Sequence, residues 1–186
     1  MSLASHQRRA GTVTWLTPPD WIEKLGPFDL DPCCPPNMPW PTAKTMLTEN
    51  STGGTNAIWR GGLAGPWHGR VWLNPPFGRQ ASMWVAKLAA HGNGIGLTHA
   101  CTETDMFYES VWEKANAVCF PRGRPHFYYE DGRRASFNSG AAIALFAYGK
   151  ENVEALRRAN LGIVLVLRPV FGTNDSASNS QIKETR

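Results

Sequence analysis

Asn74, Pro75, Pro76 and Phe77 stand in succession behind a short apolar run, Val71-Trp72-Leu73. Their types suit one kind of chemistry. Asn74 offers a side-chain carbonyl as acceptor, the Pro75 carbonyl offers a second, and Phe77 offers a flat apolar face. Two acceptors beside an aromatic platform match a planar ring that carries an exocyclic amino group. Such an amine is a poor nucleophile, because its lone pair is delocalised into the ring. Acceptors gripping its hydrogens favour a more tetrahedral nitrogen and free the lone pair for in-line attack. Positioning and preorganised polar groups suffice, without a strong base. The plain alternative is a proline-terminated strand with an Asn in its turn.

For this chemistry a strand must deliver the four residues to a ligand. Proline gives no N–H to a sheet ladder, so two in succession end the strand and fix its exit. Open α/β sheets place their ligands just past such strand ends. Two other stretches have the same character. Phe28-Asp29-Leu30-Asp31-Pro32 reads as a short buried strand whose carboxylates, Asp29 and Asp31, are available to a bound cofactor; the alternative is that Asp31 only forms a turn with Pro32. Thr102-Glu103-Thr104-Asp105 follows an expected strand at Ile95 to Ala100 and caps a helix carrying Phe107, Val111 and Trp112.

The remaining elements follow from periodicity and punctuation. Thr17 suits a helix cap, with Pro18 in the first turn, Trp21, Ile22 and Leu25 on the apolar side, and Gly26-Pro27 at the end. Pro35 to Trp67 is irregular, with a short helix expected around Thr42 to Leu47. Arg60 in that stretch, and His68 and Arg70 just after it, are available to a phosphate backbone, although loop charges are more often solvated. Gln80 to His91 is helical, burying Trp84, Val85 and Leu88. Gly92-Asn93-Gly94-Ile95-Gly96 resembles a dinucleotide fingerprint but follows a helix and precedes a strand, so it reads as a helix C-cap and loop. Strands are expected at Ala117 to Phe120, Ala141 to Tyr148 and Ile163 to Leu167, with a helix at Glu151 to Asn160. Between the first two, Pro121 to Tyr129 mixes guanidinium groups with aromatics, and Asp131-Gly132 marks a hairpin turn. Arginine beside aromatic faces holds phosphates and stacks bases, so Arg79, Arg122, Arg124 and Arg133 are candidate nucleic-acid contacts; the alternative is a solvated basic hairpin.

Composition sets the outer limits. The chain has 186 residues, 42% hydrophobic and 18% charged, which suits one soluble domain with a real core. No apolar run approaches the roughly 18 residues of a membrane span, and the N-terminus lacks a signal-peptide core. Cys33, Cys34, Cys101 and Cys119 have no paired spacing and read as reduced thiols of a cytoplasmic protein; the five histidines are scattered, so no metal is expected. A net charge of +4 and a pI near 9.0 permit a polyanionic partner. The expected organisation is a flexible N-terminus at 1–13, one domain at 14–170 and a disordered tail at 171–186. Alternating strands and helices imply an α/β domain with a mostly parallel sheet, helices on both faces and an antiparallel C-terminal hairpin.

Four stretches in one order carry a resemblance to a family: Trp15-Leu16-Thr17-Pro18, Phe28-Asp29-Leu30-Asp31-Pro32, Gly69 to Gly78, and Gly123-Arg124 followed by Phe127. From Thr14 to Tyr148 the chain resembles the short phage-type DNA adenine-N6-methyltransferases, the Dam-like family of phages and prophages. The resemblance implies a Rossmann-like methyltransferase fold, S-adenosylmethionine as donor, and the amino group of adenine in double-stranded DNA as acceptor. It implies a monomer or weak dimer in the bacterial cytoplasm. Asn74, Pro75, Pro76 and Phe77 match the family's catalytic motif. Thr17 and Pro18 match its cofactor element, and Asp31 with Pro32 its first acidic strand end. The motif here ends in Phe where Tyr is frequent, and Asn replaces the Asp of many adenine enzymes. No Gly-rich cofactor turn follows Asp31. A cytosine-N4 enzyme would use the same acceptors. A protein-glutamine methyltransferase and a DNA-binding module without catalysis are two further readings.

Overall fold

The computed structural model describes residues 14–48 and 60–168. The expectations for 1–13 and 171–186 lie outside the described residues. Seven strands form one sheet: β1 (Leu30–Asp31), β2 (Thr45–Met46), β3 (Val71–Leu73), β4 (Gly94–His99), β5 (Ala117–Pro121), β6 (Ile143–Tyr148) and β7 (Gly162–Val166). The helices are α1 (Pro19–Leu25), α2 (Arg60–Ala64), α3 (Ala81–His91) and α4 (Lys150–Ala159), with a π-helical segment at Phe107–Trp112.

The strand order is β2-β1-β3-β4-β6-β5-β7. The β2, β1, β3 and β4 neighbours pair in parallel, whereas β6 is antiparallel to both β4 and β5, and β7 to β5. The architecture is α/β with a mixed sheet, and its antiparallel part exceeds the expected terminal hairpin. β6 inserts between β4 and β5, so the late strands complete the sheet from within.

Alternation along the strands divides the core. Trp72, Ile95 and Leu97 pack with Ile22 and Leu25 of α1 and Val153 and Leu156 of α4. Val71 and Leu73 point the other way, toward Trp84, Val85 and Leu88 of α3 and Phe107 and Val111 of the π-helical segment. Side chains in a strand alternate faces, so helices are needed on both.

Two local expectations fail for tertiary reasons. The helix expected at Thr42 to Leu47 is replaced by β2, because β1 has an open edge to fill. Thr45 N–H donates to the Asp29 carbonyl at 2.9 Å and Leu47 N–H to the Asp31 carbonyl at 2.8 Å. Thr17 does not cap α1; Pro18 occupies that position without a side-chain cap, and Thr17 is buried. The glycine run behaves as expected. Gly92 closes α3 at φ 75°, its N–H donating to the Leu88 carbonyl at 2.9 Å. Gly96 belongs to β4, where a Cβ would sit 2.3 Å from the Phe146 ring, so close packing and not a phosphate loop requires it.

Candidate functional site

Because β1, β3 and β4 are parallel, their C-terminal ends share one edge of the sheet. Asp31 ends β1, Asn74 follows β3, and His99 ends β4. A fourth segment crosses to the same place. Leu16 exchanges two backbone hydrogen bonds of 3.0 Å with Tyr128, holding residues 15–17 against the excursion between β5 and β6.

Asn74 is fixed by that segment. Its amide Nδ2 donates to the Trp15 carbonyl at 2.8 Å, which assigns the side-chain orientation and leaves Oδ1 without a donor among the described residues. The Asn74 backbone carbonyl accepts from the Cys33 thiol at 3.4 Å. The Pro75 carbonyl, next in line, accepts from no described residue. Among the described residues two unpaired acceptors therefore remain at the strand exit, one on a residue whose amide nitrogen and backbone carbonyl are bound and one on its immediate neighbour.

Aromatic rings surround this point. Phe77 stacks on His99 with ring centroids 4.2 Å apart and planes inclined by 19°. Phe127 meets Phe77 edge-on at 6.1 Å, and Trp15 lies 6.5 Å from Phe127 and 5.5 Å from Tyr129. Burial lowers the pKa of His99, which favours the neutral imidazole in this apolar setting.

Beneath the site, Asp31 is 3% exposed. Its carboxylate accepts from the Thr42 hydroxyl at 2.5 Å and from the Cys33 N–H at 3.1 Å. Burial outweighs both bonds and pushes its pKa up to about 6. The same burial, with Asp31 nearby, raises the Cys33 thiol well above its usual range, so this cysteine is an inert donor. A chain of contacts thus runs from Thr42 through Asp31 and Cys33 to Asn74. Pro32 is buried beside it.

Two buried donors nearby are left over. Thr17 Oγ1 and Trp40 Nε1 have no hydrogen-bond partner among the described residues. Thr17 lies two residues from the Trp15 anchor, and the Trp40 ring meets Tyr128 edge-on at 5.2 Å. Orphaned buried polar groups are uncommon and costly, so their clustering on this side points to a polar ligand. They fit a cofactor held by the 15–18 segment, although no glycine-rich turn follows Asp31.

The other expected site residues are placed elsewhere. Asp29 precedes β1 and so stands at the opposite edge of the sheet. Its carboxylate accepts from the Arg70 N–H at 2.9 Å and from Lys44 at 2.8 Å, which lowers its pKa. That removes it from the cofactor side. Arg70 faces no phosphate: it is 4% exposed and donates to the Asn152 side chain at 2.6 Å and the Pro27 and Leu25 carbonyls at 2.8 and 2.7 Å. Arg79 is exposed just past the tetrapeptide. Arg133 is tied to Asp131 across the expected turn at 2.7 Å, where Gly132 takes φ 80°. Arg122 and Arg124 instead share a cavity of about 370 Å³ with Arg134, His126, Trp21 and Asp20. Pro18 and Tyr128 complete its wall. A second cavity, of about 510 Å³, lies between α1 and the stretch before β2. Asn74 lines neither.

Trp15 and Phe127, which the resemblance includes without a site role, and Arg134 belong to these sites, as do His99 and Trp40, which sequence reasoning does not single out. His99 was accessible in principle, as the last residue of a strand parallel to β3. Trp40 carries no comparable sequence signal, because only folding sets it against Tyr128. Among the described residues no His, Cys, Asp or Glu cluster could hold a metal ion, and no helix is long and apolar enough to cross a membrane. Comparison with family models, with curated proteins and with solved structures returns no match.

Proposed function

We propose that this chain transfers a methyl group from S-adenosylmethionine to the exocyclic N6 amine of adenine in DNA. One observation carries the proposal: Asn74 is pinned by its amide nitrogen to the Trp15 carbonyl, with its oxygen and the Pro75 carbonyl left unpaired among the described residues. Asn74 is half-buried, so its oxygen is open to a ligand in place of water. Two acceptors on adjacent residues, beside Phe77, are suited to the two hydrogens of a ring amine.

In this scheme the target adenine leaves the duplex stack and enters the aromatic enclosure. It stacks on the face of Phe77 turned away from His99. Asn74 Oδ1 and the Pro75 carbonyl hold the amino hydrogens, favouring the tetrahedral nitrogen that attacks in line. The donor would supply an electrophilic methyl group on a sulfonium, the carbon–sulfur bond breaking to leave a neutral thioether as the nitrogen–carbon bond forms. Thr17 and Trp40, with their unpaired buried donors, contribute to its binding. Asp31 acts at one remove, since Cys33 connects it to the Asn74 backbone. The methylated amine loses its proton to solvent, and no residue is required as a strong base.

The test is tritiated methyl transfer to DNA, with methylation-aware sequencing to identify the base. Asn74→Ala should lower the rate by about a hundredfold or more, the scale found when one preorganised polar group is removed from a reacting centre. Its unfolding free energy should fall by only about 1 kcal/mol, for the lost bond to Trp15. An equal rate in the variant, or a modified base other than adenine, would sink the assignment.

A further inference from the structure

The cavity of about 370 Å³ between the start of α1 and the β5–β6 excursion has an unusual charge balance. Arg122, Arg124 and Arg134 line it, with Asp20 as the opposing carboxylate. Asp20 is already engaged by Lys24 at 3.3 Å. The Arg124 side chain donates once, to the Gly140 carbonyl at 3.0 Å, and neither the Arg122 nor the Arg134 side chain donates to a described residue. His126 is held in place, with Nδ1 3.0 Å from the Ala135 carbonyl. Guanidinium groups normally spread over a surface to lessen their repulsion. Three of them on one concave wall create a focused positive field, and their planar forks match phosphate oxygens.

Size and position narrow the ligand. A water takes roughly 30 Å³ of liquid, so the space exceeds what a small ion needs and suits a phosphodiester with its sugar. Pro18 lines the cavity, and Trp15 anchors Asn74. Three residues of extended chain span at most about 11 Å. Successive nucleotides of a strand rise by about 3.4 Å, so cavity and amide lie within a few nucleotides of each other. The Leu16–Tyr128 pairing makes the connection stiff.

We propose that this cavity seats a backbone phosphate of the DNA strand that carries the target adenine, setting that strand's register against Asn74. The proposal rests on the DNA reading of the Asn74 site and adds the place where the strand is gripped. Arg134, and not Arg133, supplies the third guanidinium.

The experiment compares wild type, Arg122→Gln/Arg134→Gln and, as a control outside the cavity, Lys150→Gln at the start of α4. Both arginines are exposed, so the double variant should melt like wild type. Affinity for a short mixed-sequence duplex is measured between about 50 and 200 mM salt. The double variant should bind about tenfold more weakly, with a log–log salt slope shallower by about 0.9 for each phosphate it no longer neutralises. Lys150→Gln should change neither quantity. Equal weakening in both proteins, or none in the double variant, would overturn the phosphate seat. In a second arm, inorganic phosphate is titrated while the His126 ring resonances are followed. Phosphate binding in the cavity, with duplex affinity untouched by the arginine substitutions, would assign the site to a free anion and also overturn the proposal. Methyl transfer measured on the same proteins separates the two ideas. Duplex binding through the cavity without transfer would keep the phosphate seat and remove the methylation. Transfer with an unaltered salt slope would do the reverse.

Discussion

The two ends of β1 and β3 make an instructive pair. Both are polar, and both combine an aspartate with nitrogen-rich side chains. At the N-terminal ends every such group is spoken for: Asp29 by Arg70 and Lys44, and Arg70 by Leu25, Pro27 and Asn152. Asn152 goes on to donate to Asn93 and to the Tyr148 carbonyl. At the C-terminal ends donors and acceptors do not match. Among the described residues, Asn74 keeps an open oxygen, and Thr17 and Trp40 keep buried donors without acceptors. A saturated polar cluster has no capacity left for a ligand, so it ties the fold together. An unsaturated one, held in place by neighbours, is prepared for something that arrives later.

Substitutions at the two ends should therefore fail in different ways. The largest stability effect is expected at the saturated end. Arg70→Met leaves two backbone carbonyls and the Asn152 oxygen without their donor, and each such loss costs about 1–3 kcal/mol. Urea denaturation should show a loss of about 3 kcal/mol or more, with refolded protein still binding donor. A variant as stable as wild type would mean that this end is a solvated surface and the contrast is false.

Asp31 comes next, and its signature is in pH. Its folded pKa, about 6, lies above the ordinary 3.8 because burial disfavours the charge. The folded state then holds the proton more tightly than the unfolded chain. Its stabilising contribution is complete below about pH 4 and is lost as pH rises toward 6. Two pKa units correspond to about 3 kcal/mol. Relative to Asp31→Asn, wild type should lose about that much stability between pH 4 and pH 7 in parallel urea titrations. Parallel curves would show that Asp31 is ionised without penalty.

The smallest effect is also the sharpest discriminator. Thr17→Val removes a hydroxyl that has no partner in the folded protein among the described residues. Stability should hold or rise by about 1 kcal/mol, since an unsatisfied buried group is removed. Donor affinity, measured by calorimetry with S-adenosylmethionine, should nevertheless drop about tenfold, the equivalent of one hydrogen bond. A joint fall in stability and unchanged affinity would move Thr17 to the architectural side of the comparison.

Much of this was legible before any fold was known. Most strands and helices from Val71 onward lie within a residue or two of their expected bounds, because apolar periodicity and glycine or proline punctuation mark them locally. The Asn74 exit was readable for the same reason: two prolines behind an apolar run end a strand wherever it sits. The misses share a cause. β2, Asp29 and Arg70 each have two local roles open to them, and a partner distant in sequence decides between them. Lys44 and Arg70 claim Asp29; Leu25, Pro27 and Asn152 claim Arg70; the open edge of β1 extends the chain at β2.

Sequence by itself determined that Asn74 would stand at a strand end with the Pro75 carbonyl beside it and an aromatic ring after it, since backbone chemistry enforces that order. Tertiary structure decided which acceptors would stay unpaired. That outcome depends on Trp15 reaching the amide, Cys33 reaching the backbone carbonyl, and His99 arriving on the neighbouring strand. Hydrogen-bond capacity is short-ranged and directional, so only the assembled chain reveals which part of it remains unused.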